Sequence, residues 1–171
     1  RRYPVQYGIK KTQSRRISVK PRERAGENRP VFFFQETTQV ELQPSDAVFQ
    51  SYGRCCASEH FFEDFYRIFM GKSDEVRSVF TSTDMPEQRR LLRAGIMWLI
   101  MVARGASDNK LAHLGKTHNR EGYNIQPYLY DYWLDALLET VAKHDKQHSD
   151  DLGRHWRTVL QPSIDKIRGA Y

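Results

Sequence analysis

His118 is the residue in this chain whose setting best suits a metal ligand. It closes a short stretch of helical spacing, with Leu111 and Leu114 upstream and the loop NREGYNIQP downstream. A neutral imidazole at a helix end, flanked by apolar side chains, fits the axial position of a haem iron. His113, five residues earlier, is the competing imidazole, but it lies early relative to that loop. A second group of interest is Tyr66. It ends the run Phe61-Phe62-Glu63-Asp64-Phe65-Tyr66, in which a helical period turns several rings inward. Elsewhere the chemistry is sparse. No Ser/His/Asp order, phosphate loop or Cys/His zinc spacing stands out. The adjacent Cys55 and Cys56 rarely bridge in such a pair, so they read as core filling rather than a redox centre. They fit a reducing intracellular compartment.

The elements that must position these residues read as helices. Ser45 is the expected cap of a first helix running to about Cys56, and Ser58 of a second that carries Phe61, Phe62, Phe65, Tyr66 and Phe69. Ser73 opens the short piece DEVRSVF, which ends at Phe80. Asp84 with Glu87 is a capping box, and Pro86 falls in the first turn, where proline is tolerated. The helix that follows, to Arg104, is apolar almost all round after Leu91 and is therefore expected to be central and buried. A looser helix spans about Asp108 to Asn119. Another runs from Pro127 through Ala142, with Leu134, Leu137, Leu138 and Val141 on one face. The last begins near Ser149, carries Trp156 and Ile164, and should kink at Pro162. The fold class is all-α with about seven helices.

Composition bounds the rest. The 171 residues suffice for one compact domain with something to spare. The longest apolar stretch, Ala94 to Ala103, falls well short of the ~20 residues of a membrane span. Residues 1–30 hold ten basic side chains and two acidic ones, more than the whole chain's net +6, so the rest is mildly acidic. Pro4, Pro21 and Pro30 interrupt this arm, and it lacks any apolar period. Alone it cannot offset its ordering entropy, so it is expected to lie against its own body, a second copy or a larger assembly. Nucleic acid is a weaker candidate partner. Residues 31–42 are aromatic and β-branched and suit a short extended segment. The division expected is an arm with its extended segment over 1–43 and a helical domain over 44–171.

Taken in order, these segments resemble the globin family, in particular its bacterial haemoglobin, flavohaemoglobin and globin-sensor branches. FYRIFMGKSDEVRSVF looks like the family's second helix and the corner after it, and HNREGYNIQP like the stretch that begins at the proximal ligand. LGRHWRTVLQPSIDKI is similar to the last helix, with Trp156 in an aromatic slot. The resemblance covers about residues 45–171. It implies a globin-like fold, haem b as cofactor, His118 on the iron, Tyr66 facing the ligand pocket and Phe80 packed on the porphyrin. Tyr66 and Phe80 are fourteen residues apart, which matches the family's spacing. It also implies Gln88 near the distal gate and Leu92 as the apolar residue beside the ligand. A register slip would put Arg89, Leu91 or Leu92 at the gate instead. No histidine lies between Phe80 and Met101, so a distal histidine is excluded there.

The function implied is binding of a diatomic gas, with Tyr66 donating a hydrogen bond to dioxygen. With electrons from a separate reductase, since a reductase domain is not expected on this chain, nitric oxide dioxygenation would follow. Two other readings stand beside it. One is a globin-fold structural subunit of a larger assembly, with or without haem, joined through residues 1–43. The other is a haem-based gas-sensor module.

Overall fold

The structure, a computed structural model, describes residues 42–171; the basic arm and nearly all of the expected extended segment lie outside the described residues. Among the described residues there are seven helices and no strand: α1 (Pro44–Cys56), α2 (Phe61–Met70), α3 (Asp74–Val79), α4 (Met85–Ala103), α5 (Asn109–His118), α6 (Leu129–His144) and α7 (Asp150–Arg168). α7 packs against α1, α4, α5 and α6, while α2 lies along α6 and touches α3 and α4. The core is aromatic at its centre. Tyr52, Phe61 and Trp156 meet edge to face, with Tyr52 at 6.4 Å from Phe61 and 6.2 Å from Trp156.

Three starts follow the local capping signals. The Ser73 hydroxyl accepts the Val76 N–H at 3.1 Å, Asp84 accepts Glu87 N–H at 3.3 Å, and Ser149 accepts Leu152 N–H at 3.2 Å. Two expected caps are corrected. α1 begins one residue before Ser45, because Pro44 has no N–H to leave unpaired in the first turn, and Gln43 is the N-cap. α2 begins at Phe61 behind His60, because the Ser58 hydroxyl is engaged with His144 at 2.8 Å instead of with the helix. α6 starts at Leu129, after a turn at Pro127 and Tyr128, and runs on to His144. α7 continues unbroken through Pro162.

α4 also departs from expectation. Leu92, Ile96, Leu99 and Ile100 are buried, but Leu91 is 50% exposed and Met97 and Met101 lie at the surface. Its apolar girth serves two purposes, packing on α1, α2 and α7 and walling a cavity. A sequence period cannot separate these.

One polar network lies inside the core. Trp156 Nε1–H donates to Ser51 Oγ at 2.9 Å, and Ser51 donates to Asp145 Oδ2 at 2.6 Å. Arg54 grips the same carboxylate with Nε and Nη2 at 2.6 and 2.8 Å. The network ties α1, the end of α6 and α7 together with every member partnered. Burial pushes the Asp145 carboxyl up, but the hydrogen bonds from Arg54 and Ser51 outweigh it and bring the value down to about 2 from 3.8. A carboxyl lowered on folding adds stability that is complete above about pH 4 and is lost as the pH falls towards 2. The contribution is about 2 kcal/mol. Thermal melts at pH 5 and pH 2.5 should show a smaller acid-induced loss for Asp145→Asn than for the parent chain. Equal losses would remove Asp145 as the cause.

Candidate functional site

An apolar cavity of about 760 Å³ opens among α2, α3, α4, α5, α6 and α7. α4 and α5 hardly touch one another, and the cavity lies between them. Val79 and Leu91 sit on its wall and are otherwise exposed, so apolar surface runs out to the mouth.

His118 is the last residue of α5, and the chain after it is folded back tightly. Tyr123 N–H donates to the Thr117 carbonyl at 2.8 Å, and Ile125 N–H to the His118 carbonyl at 2.9 Å. Asn119 Oδ1 accepts the N–H groups of Glu121 and Gly122 at 3.0 and 3.1 Å, and Asn124 takes a left-handed φ of 53°. At Gly122 a Cβ would lie 2.1 Å from the Thr117 carbonyl oxygen, so only glycine fits. Gly115, one turn before His118, has the same role against the end of α7, where a Cβ would lie 3.3 Å from the Ile167 carbonyl oxygen and 2.6 Å from the Cβ of Ala170 just beyond the helix. Gly122→Ala should therefore shift the loop and cost about 1–3 kcal/mol, read as a lowered melting temperature with unchanged helix content before the melt. No shift would show that the loop yields freely.

The His118 ring is half-buried, and burial pushes its pKa below the ordinary value, so the imidazole is neutral. Nδ1 is 3.1 Å from the Tyr130 hydroxyl. Burial holds that phenol protonated by pushing it up to about 12. Nε2 has no partner among the described residues; in the tautomer whose Nδ1–H donates to the Tyr130 oxygen, Nε2 presents its lone pair. His113 also reaches the cavity wall, but its ring is exposed and nothing orients it by a hydrogen bond among the described residues.

The remaining candidates reach the same cavity. Tyr66 is buried, and its hydroxyl donates to the Gln88 backbone carbonyl at 3.3 Å. Burial raises this phenol to about 12, the Gln88 bond notwithstanding, so it remains a donor at any physiological pH. Its ring stands edge-on to Phe80 at 5.3 Å, and Phe80 in turn contacts Phe69 at 5.9 Å. Gln88, Leu91 and Leu92 line the cavity from α4, whereas Arg89 does not. Among the wall groups that the sequence did not point to are Tyr130, and Ile164 and Ile167 of α7. Tyr130 stood in plain view within an aromatic helix, yet its partner is set by the loop between. The vicinal cysteines are both free, and burial pushes Cys55 up to about 12, which suits filling rather than thiolate chemistry.

The chain shares this architecture with a solved protein. A crystal structure of a Pseudomonas aeruginosa PAO1 protein, described as structurally highly homologous to a human hemoglobin, superposes with a TM-score of 0.74. The two sequences are 51% identical over 75% of this chain and 98% of that one. The chain belongs to the globin family. No family model and no curated protein matches it. Within this globin, the cavity between α4 and α5 holds all five residues singled out from the sequence: Tyr66, Phe80, Gln88, Leu92 and His118.

Proposed function

We propose that this globin is a haem protein that binds a diatomic gas, with His118 as the axial ligand. The reading is carried by one observation. A single apolar cavity between α4 and α5 has both a neutral, oriented imidazole and a buried phenol on its walls. The donor set suits the group: apolar walls accept a flat macrocycle, and Nε2 of His118 is the free nitrogen. When bound, haem b supplies an iron centre able to coordinate a gas molecule. Phe80 offers a ring to pack on the porphyrin, and Leu92 keeps the gas site apolar. Tyr66 supplies the hydrogen bond. Its present acceptor, at 3.3 Å, is held by a long bond that a partly anionic ligand would readily outcompete. Dioxygen, which draws negative charge, is therefore favoured over carbon monoxide. The Gln88 side chain is a second donor on the same wall.

With electrons from a separate reductase, the same residues would serve nitric oxide dioxygenation. A Soret absorption band on the purified chain, or on the chain titrated with hemin, tests the reading. A chain that binds no hemin would overturn it and leave the structural-subunit role.

A further inference from the structure

Away from the cavity, three side chains that are far apart in sequence form a hydrogen-bonded row. Ser58 Oγ lies 2.8 Å from His144 Nδ1, and His144 Nε2 lies 2.8 Å from Asp64 Oδ2. Ser58 is in the turn between α1 and α2, Asp64 is in the first turn of α2, and His144 ends α6. The imidazole and the carboxylate are only 10% and 15% exposed, while Ser58 is half-buried and reachable. The Phe61 ring stands edge-on to the imidazole at 5.6 Å and limits its rotation. Hydrogen bonds from Lys143 and Arg67 hold the Asp64 carboxyl well below the usual range, so it is acceptor-only. An acceptor-only Asp64 takes a proton from His144 Nε2, and in the neutral ring Nδ1 is then the acceptor for the serine hydroxyl. A hydroxyl, an imidazole and a carboxylate thus stand in hydrogen-bond contact, as in a Ser-His-Asp triad but with the ring turned over, serine on Nδ1 and aspartate on Nε2. In the same first turn of α2 as Asp64, the N–H groups of Phe62 and Glu63 have no partner among the described residues, as is usual at a helix start.

We propose that Ser58, His144 and Asp64 form a second site, independent of haem, that takes the acyl group from small activated carboxylic esters. None of the three lines the cavity, so the substrate is a small acyl donor met at the surface. Ser58 Oγ bonds to the ester carbonyl carbon while His144 Nδ1 takes the hydroxyl proton. The bond to the alkoxide breaks, and the alkoxide leaves with that proton as an alcohol. Water, deprotonated by the same nitrogen, then attacks the Ser58 ester, and the carboxylic acid departs as the proton returns to Ser58.

The test treats the full chain with a fluorophosphonate probe, from which Ser58 displaces fluoride, and with p-nitrophenyl acetate, with adducts mapped by peptide mass spectrometry. The expected result is one adduct on the Ser58 peptide, absent in Ser58→Ala and forming about a hundred-fold more slowly in His144→Gln. Because His144 packs on Phe61, Asp64→Asn provides a variant that spares the core, and it too should slow labelling. Binding of hemin should be unchanged in Ser58→Ala, which separates this site from the haem reading. No adduct on Ser58, or equal labelling rates in His144→Gln, Asp64→Asn and the parent chain, would overturn the proposal and reduce the row to a clip between α2 and α6.

Discussion

Replacing His118 with alanine should abolish hemin retention, while His113→Ala should leave it nearly intact. Both imidazoles reach the cavity wall. Only His118 is half-buried and oriented through Nδ1 by a partner, Tyr130 at 3.1 Å. An oriented ring with a free Nε2 has lost its rotational freedom before the metal arrives, whereas the exposed His113 has not. The measurement is the Soret absorbance that remains after hemin loading and gel filtration, with far-ultraviolet circular dichroism to confirm that each variant is folded. Loss of hemin in His113→Ala with retention in His118→Ala would reverse the assignment. Retention in both would remove axial ligation by either residue.

The second large effect is expected at Tyr66. Tyr66→Phe keeps the ring and its edge contact with Phe80, and gives up one long hydrogen bond to the Gln88 carbonyl, so stability should change by only about 1 kcal/mol. A hydrogen bond to a partly charged acceptor is worth about 1.5–3 kcal/mol. Dioxygen should therefore leave the haem-loaded variant about ten- to a hundred-fold faster. Carbon monoxide carries less negative charge when bound, and its release should change much less. Stopped-flow displacement of both gases supplies the internal control. Equal acceleration of the two would indicate a change in shape rather than a lost donor. Unchanged dioxygen release would shift the donor role to Gln88.

How far the sequence could be read depended on the distance over which each feature is determined. The caps at Ser73, Asp84 and Ser149 are decided within four residues, and the structure has all three. Ser58 has the same local credentials, but its hydroxyl is claimed by His144, 86 residues away, and no window along the chain contains that competition. The same distance hid the Ser58, His144 and Asp64 row, although all three residue types were in view. Residues of the cavity wall were legible where two segments kept a familiar order, as with Tyr66, Phe80 and His118. They were not legible where α7 closes the cavity with Ile164 and Ile167, because that face reads as ordinary core in any amphipathic helix. α4 failed in the opposite sense. Its hydrophobicity reads as burial all round, yet Leu91 is 50% exposed.

The two close glycines around His118 have a consequence for how α5 is turned about its own axis. Residues five apart on an α-helix point about 140° from one another, so His113 and His118 reach the cavity wall from different sides of α5, and any turn of the helix about its axis changes how each is presented. Gly115 presses the helix onto α7, and Gly122 presses the returning loop onto the helix end, each with room for a hydrogen and nothing larger. Together they fix the angular setting of α5 from both sides. How the two imidazoles are presented is thus decided by two positions that carry no side chain at all.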